Sequence, residues 1–431
     1  MADPVILSKN EQRVTTATTS TRESNLTSMA DPSAVADAVR EANAARQPLH
    51  PRGGGTSLDY GGTPTHEGRE LDLTELGRIV DYTPRDMTIV VEAGVRMADL
   101  AATLAAEGQQ LPIDVPRPAE ATVGGAVATN WSGPRRYGYG TLRDYLIGIR
   151  AVDGRGVPFQ AGGRVVKNVA GYDFCKLLTG SLGTLAVITQ VTLKVKPIPE
   201  AVAWVVCDTD DDLNGFIMFL SISDSRTTPV AIEWVGGAYW QKSPLAEGTV
   251  RAQGSSLAIC FEGSRSEVEW QVERFAADRL ERPAVYRDAS IRQLASPESA
   301  QATLSALTAF PADATAPLSV RFNLSPGDLN IAQLGLHRAG GNHSYQAHRG
   351  NGILNVRFEN VAPADVSRLV LKDLQPMAAK AGGNVIVLSC PGQELTRQLT
   401  WGLGRGDRAV MLAVKQQFDP AGILNPGRFV Y

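Results

Sequence analysis

Residues 50–62 read HPRGGGTSLDYGG, and residues 121–130 read ATVGGAVATN. Each stretch sets glycines beside small hydroxyl side chains, the composition of a backbone that must lie close to a phosphate-rich ligand. Glycine lacks a Cβ and tolerates positive φ, which permits that approach. Successive N–H groups in such a turn form an anion-binding nest. Either stretch alone reads equally well as a plain tight turn; the pair narrows the chemistry. A nucleoside-triphosphate loop is excluded because no Gly-Lys-Ser/Thr follows the first turn. A strand-to-helix dinucleotide fingerprint fits poorly, since Asp59, Tyr60, Gly61 and Gly62 stand where its helix would begin. What remains is a phosphate nest not built on a helix start. Thr122, Thr129 and the run Asn130-Trp131-Ser132-Gly133-Pro134 add hydroxyl and amide groups able to bond phosphate oxygens or a heterocyclic edge.

A third segment, residues 163–196, reads GRVVKNVAGYDFCKLLTGSLGTLAVITQVTLKVK. Lys167-Asn168 and Tyr172-Asp173 sit in a glycine-punctuated loop, followed by the turn Gly180-Ser181-Leu182-Gly183-Thr184. Lys167 and Lys176 read as solvated charges when taken alone.

The elements that position these turns are legible around them. Asp31-Pro32 is a helix start, with aspartate as N-cap and proline in the first turn, leading into SAVADAVREANAAR. LHPR runs as a short strand into the first glycine turn, residues 88–92 form a buried strand, and residues 97–107 a helix that stops before Gly108. Residues 146–152 lead into the hairpin signal Asp153-Gly154. Residues 187–195 alternate apolar and polar side chains. Pro197 and Pro199 then mark a domain boundary.

Beyond that boundary, strands are expected at 202–207, 230–235, 257–261, 318–323, 353–358 and 385–388. Helices are expected at 211–220, 266–280, 328–338, 364–379 and 408–418. Strands interleaved with single helices predict an α+β sheet domain covered on one face. The polar residues 1–30 read as a flexible extension.

Composition bounds the rest. A chain of 431 residues carries two or three domains, and a net charge of −3 advertises no nucleic-acid surface. Cys175, Cys207, Cys260 and Cys390 form no CxxC pair, which argues against zinc or iron–sulfur ligation and for buried thiols in a reducing, cytoplasmic setting. No apolar run reaches the length of a membrane span, so any membrane association is expected to run through partner subunits.

Together the three segments resemble the FAD-binding domain of the vanillyl-alcohol-oxidase and p-cresol-methylhydroxylase (PCMH) flavoproteins. The KNVAGYD and GSLGTL stretches and the ending DPAGILNPGR are most similar to FAD-binding subunits of bacterial glycolate oxidase (glycolate dehydrogenase) complexes. The resemblance implies a two-subdomain PCMH-type FAD-binding domain at residues 31–198 and an α+β cap with ferredoxin-like elements at 199–406. Residues 407–431 would form a helix and tail returning to the FAD domain. In that family the first loop, here Pro51, Arg52, Gly53, Gly54, Gly55, Thr56 and Ser57, carries the pyrophosphate. The second, here Pro116 together with Thr122, Val123, Gly124, Gly125, Thr129 and Asn130, lines the diphosphate and ribityl region. Gly183 and Val187 approach the adenosine end, and Asn425 and Arg428 in the tail are candidates for contact near the flavin ring. The first loop holds no histidine, so FAD is expected to be non-covalent, with His50 packing beside it.

Related 2-hydroxy-acid dehydrogenases carry an HxGDGNxH segment and a later GEHG segment that supply metal ligands and a base. Here the first reads His348-Arg349-Gly350-Asn351-Gly352-Ile353-Leu354-Asn355 and the second Cys390-Pro391-Gly392-Gln393-Glu394. One histidine and two amides make a poor divalent-metal site, so no metal is expected. His348 and Arg349 are the catalytic candidates; His343, five residues before His348, is a candidate to pair with it around a metal, and Arg357 to join Arg349 on a carboxylate, though such arginines are usually ion-pair partners.

The lost histidines imply an accessory electron-transfer flavin subunit of a glycolate-oxidising complex. It would work beside a catalytic FAD sister subunit and an iron–sulfur subunit. The alternatives are a self-sufficient 2-hydroxy-acid dehydrogenase (D-lactate, for example) using His348 or Tyr345, and a structural subunit that binds FAD weakly.

Overall fold

The computed structural model describes residues 26–164, 171–209, 212–246, 254–286, 289–294, 296–339, 342–402 and 406–431. Lys167 and Asn168, and residues 1–25 of the expected extension, lie outside that set.

Asp31 opens the first helix, Pro32–Ala45, by accepting the N–H groups of Ser33 at 2.8 Å and Ala34 at 3.0 Å. Val35, Val39 and Ala42 bury its inner face. Ahead of it, Leu26–Ser28 pairs in parallel with Arg69–Asp72, which pairs in parallel with Leu49–Arg52. Met29 is buried. The expected extension is therefore corrected at its end, since residues 26–29 belong to this sheet.

The second sheet is antiparallel, in the order Ile79–Thr83, Thr88–Glu92, Ala186–Lys194, Leu146–Asp153, Pro158–Gly162. Its interior Thr88–Glu92 strand, between Ile79–Thr83 and Ala186–Lys194, is buried throughout. The helix Met97–Ala105 packs Leu100 and Leu104 into the same apolar core.

The third sheet has eight antiparallel strands, from Ser290–Gln293 through Ala201–Thr209, Ser255–Gly263, Ala231–Gly236, His343–His348, Ile353–Phe358 and Leu318–Asn323 to Asn384–Ser389. One face carries Trp234, Tyr345, Leu354, Val356, Val320 and Phe322, packed against Met218, Phe275, Leu336 and Leu374 of the covering helices. Each fully buried side chain of this kind contributes about 1.5–3 kcal/mol. The other face presents Glu233, Gln346, His348, Asn355 and Arg321, the residues two apart on neighbouring strands. The architecture is the expected α+β sheet, but the expected one-face cover is corrected: the helix Pro297–Ala309 sets Ala300 and Leu307 against Trp204, Val206 and Cys260 on the other face.

Some local expectations fail for identifiable reasons. The strand His343–His348 and the helix Pro297–Ala309 were not anticipated; HSYQAH turns its polar side chains inward, so it lacks the apolar signal of a strand. The expected helix over 364–379 breaks into a π-helical turn, Leu369–Leu374, and a helix Gln375–Lys380, because Pro376 has no N–H to give the preceding turn.

The tail folds back along the first sheet. Leu49 N–H donates to Ile423 at 2.8 Å and Asn425 N–H to Leu49 at 2.9 Å. Lys415, buried on the helix Arg408–Phe418, donates to Thr184 O, Asp419 Oδ2 and Leu424 O at 2.6, 2.6 and 3.0 Å. The cap is locked on by Arg135, whose guanidinium lies 2.7 Å from Asp114 and 3.3 Å from Glu262. Tyr139 adds a bond to Glu262 at 2.8 Å. These pairs are nearly buried, so removing one partner would strand a charge.

Candidate functional site

The two glycine stretches interlock. A Cβ on Gly53 would lie 2.1 Å from Thr122 Oγ1, and one on Gly54 would lie 1.7 Å from Glu120 O. Both glycines are therefore required by the packing of one loop on the other. Gly55 holds a positive φ of 70°, and Arg117 donates to Thr56 O. Among the described residues, the N–H groups of Gly53, Gly54, Gly55, Thr56 and Ser57 find no protein acceptor. Five successive unpartnered donors around a positive-φ glycine form an anion nest.

The second stretch is not a turn but the start of the helix Val123–Thr129, capped by Thr122. Its first amides are already used: Val123 N–H on Val95 O and Gly124 N–H on Ala93 O, both at 2.8 Å, and Gly125 N–H on Thr122 Oγ1 at 3.3 Å. This stretch supplies shape and the first loop supplies free donors.

Both border a half-open cleft of about 240 Å³. Residues 51–57, Thr122, Gly124, Gly125, Thr129, Gly183, Val187, Asn425 and Arg428 line it. Pro116, Val123 and Asn130 do not: Val123 lies in the apolar core, and Asn130 caps the helix in the left-handed region, its Oδ1 buried without a partner. His50, Leu58 and Tyr60 line the cleft without having been counted among its binding residues.

Asn425 is the clasp at one end. Its Nδ2 donates to Leu182 O at 2.8 Å, and its Oδ1 lies 3.1 Å from His50 Nδ1. His50 Nε2 is 3.2 Å from His66 O, so both ring nitrogens are engaged with protein. Arg428 donates to Leu58 O and Tyr60 O at 2.6 and 2.8 Å, holding the far side of the first loop.

Tyr60 stands where the cleft meets the cap. Its ring lies 6.0 Å from Trp131 and 6.0 Å from Trp401. Trp131 donates to Ser57 Oγ at 2.8 Å, and the Arg321 guanidinium lies 5.1 Å over the Trp131 ring. Arg321 Nε donates to Asn355 Oδ1 at 2.9 Å; Asn355 Nδ2 is 3.3 Å from His348 Nε2; His348 Nδ1 is 2.6 Å from Glu233 Oε1. Gln346 also donates to Glu233, at 2.9 Å. Burial pushes the Glu233 carboxyl above its ordinary value, an effect His348 opposes.

The other histidine-segment candidates lie elsewhere. Arg349 follows His348 and points to the opposite side, its guanidinium 3.9 Å over the Trp234 ring and donating to Asn330 and Gln333. It is an aromatic-caged core residue of the cap. His343 and His348 occupy opposite ends and opposite faces of one strand, which rules out their pairing around a metal. Tyr345 belongs to the helix-covered core. Arg357 is held by Asp313 and Thr315. Among the described residues no three His, Cys, Asp or Glu side chains converge as metal ligands.

Comparison with known proteins agrees with this geometry. The FAD binding domain family matches residues 26–162, and the C-terminal domain of FAD linked oxidases matches residues 346–429. The chain is 38% identical over 237 residues to the glycolate oxidase subunit GlcE of Escherichia coli, a match spanning 55% of this chain and 62% of that protein, less than two thirds of its length. It is 27% identical to the glycolate oxidase subunit GlcD of Bacillus subtilis, covering 89% of this chain and 84% of that one. Identity with the D-lactate dehydrogenase of Anaerostipes hadrus is 28%, covering 92% and 87%. A solved alkyldihydroxyacetonephosphate synthase shares the fold at a TM-score of 0.68 and 19% identity, covering 93% of this chain and 76% of that one. The unpartnered donors of residues 53–57, the cleft they open on and these matches agree, and the chain belongs to the PCMH-type family of FAD-linked oxidases, with FAD as its cofactor.

Proposed function

We propose that this chain is the accessory electron-transfer FAD subunit of a complex that oxidises a 2-hydroxy acid, glycolate, to the 2-oxo acid. The observation that carries the proposal is the state of His348. Arg321 Nε donates to Asn355 Oδ1, which fixes the amide and turns Nδ2 toward His348 Nε2. Nε2 must then accept, so the ring proton sits on Nδ1 and goes to Glu233. The lone pair that would take the substrate's hydroxyl proton is already in use, and a general base needs it free.

Bound non-covalently in the cleft, FAD supplies two-electron chemistry. Residues 53–57 would hold its phosphates through their free N–H groups, with Arg428 bracing the loop at Leu58 and Tyr60 and Asn425 clasping His50 and Leu182. The catalytic partner is a sister FAD subunit, and the electrons pass to an iron–sulfur subunit; the relative named as a glycolate oxidase subunit supports this arrangement. No described helix is long and apolar enough to cross a membrane, so membrane association would run through those partners.

A self-sufficient dehydrogenase is the second reading, favoured by the match to a D-lactate dehydrogenase. It requires Asn355 to leave His348. Glycolate-dependent dye reduction separates the two: the accessory subunit gives none alone and restores activity to the other subunits, whereas a complete dehydrogenase reduces dye alone.

A further inference from the structure

Three arginines gather where the FAD-binding portion meets the cap, and they are treated differently. Arg135 takes both available carboxylates, Asp114 and Glu262. Arg136 and Arg321 have neither. Arg136, on the short helix Arg136–Tyr139, donates through Nη1 to Ser132 Oγ at 3.0 Å and keeps a buried Nε without an acceptor. Arg321, on the cap strand Leu318–Asn323, has Nε on Asn355 as its hydrogen bond among the described residues. Among the described residues no carboxylate lies within ion-pair distance of either.

The two charges feel each other. Burial, then the Arg321 charge, bring the Arg136 guanidinium down to about 10, with Glu233 and Asp144 opposing; burial also lowers Arg321. Partly buried like charges with no carboxylate in direct contact are costly, and a bound anion relieves that cost. A guanidinium presents a planar fork that takes a carboxylate bidentately, and Trp131 and Tyr60 stand beside Arg321 as flat walls suited to a small planar anion. Tyr60 also lines the FAD cleft, so this arginine–aromatic cluster adjoins the cofactor's cleft.

We propose that Arg321 and Arg136 form a binding site for a small carboxylate, one arginine from each half of the chain, so that the anion bridges the cap to the FAD-binding portion. This rests on the 2-hydroxy-acid reading above and adds the residues that select the acid. Binding needs no turnover, since the site holds a carboxylate irrespective of whether His348 is free to act as a base.

The test uses the purified full chain with its FAD, titrated with oxalate, a two-carbon carboxylate lacking the hydroxyl to be oxidised, and in parallel with glycolate and sulfate. Thermal melting and the flavin absorption band are the readouts. Oxalate and glycolate are expected to raise the melting midpoint by a few degrees and to shift the flavin band saturably, with sulfate at least tenfold weaker. Arg321→Met and Arg136→Met should each weaken oxalate at least tenfold while FAD content stays unchanged, and Arg321→Lys should fall between them and the parent. Oxalate affinity within threefold of the parent in both methionine variants overturns the site, as does sulfate binding equal to oxalate. Loss of FAD from Arg321→Met assigns the arginine to the cofactor and also overturns it. Bleaching by glycolate would sink the accessory reading but leave the carboxylate site standing; an unbleached flavin that ignores every carboxylate would do the reverse.

Discussion

Asn355 Nδ2 lies 3.3 Å from His348 Nε2, and this amide stands where related sequences place a second histidine. The contact makes the two side chains a donor and an acceptor that satisfy each other. Glu233 closes the line on one side and Arg321 on the other. Glu233, His348, Asn355 and Arg321 thus form a continuous polar line across neighbouring strands.

Replacing Asn355 by alanine removes both of its bonds and leaves Arg321 Nε and His348 Nε2 without protein partners. Losing bonds to buried groups, one of them charged, is expected to cost about 2–4 kcal/mol. Chemical denaturation of the variant measures that loss directly. A change below half a kilocalorie per mole would mean the amide does not organise this face.

Gly54→Ala drives a methyl group into Glu120 O, 1.7 Å from the built Cβ position. The backbone cannot absorb that approach, so the first loop must move away from the helix start and its free N–H groups lose their convergence. Flavin per chain after gel filtration should drop at least tenfold with the cap fold intact by circular dichroism. Full flavin content would show that the interlock does not shape the nest.

Glu233 gives a pH signature whose sign follows from burial. Its folded pKa stands above the ordinary 4.5, so the folded chain binds more protons than the unfolded one in the window opening at 4.5, and stability falls as pH rises through it. His348 and Gln346 bond this carboxylate, and Asp114 and Arg136 also face it. Glu233→Gln lacks the titration, so the stability of the parent relative to the variant should decline with rising pH above 4.5. Parallel stability curves from pH 5 to 8 would contradict it.

The four cysteines are buried, and burial pushes Cys175 up to about 11 and Cys207 up to about 12, with Cys260 and Cys390 also raised. Thiols held so far from ionisation are inert. Ellman's reagent at pH 8 should find no reactive thiol in the native chain and four after denaturation.

The parts legible in the sequence were those with strong local signals. The Asp31-Pro32 start, the buried Thr88–Glu92 strand and the Leu318–Asn323 and Ile353–Phe358 strands stand as read. Gly53 and Gly54 were read as letting the backbone approach a phosphate; the structure adds a second requirement, since their missing Cβ also serves loop-to-loop packing. Arg321 and Arg136 carried no motif. Their meaning comes from strand register and from which neighbour takes the carboxylates, both tertiary facts. Arg349 misled because adjacency to His348 in sequence means opposite sides of the sheet.

The most direct measurement is the absorption spectrum of the purified chain under anaerobic conditions before and after adding glycolate. With His348 Nε2 occupied by Asn355, the bound, acid-releasable FAD should stay oxidised until the partner subunits are added. Rapid bleaching by glycolate in the chain alone would contradict the account and make His348, once freed of Asn355, the first base to examine.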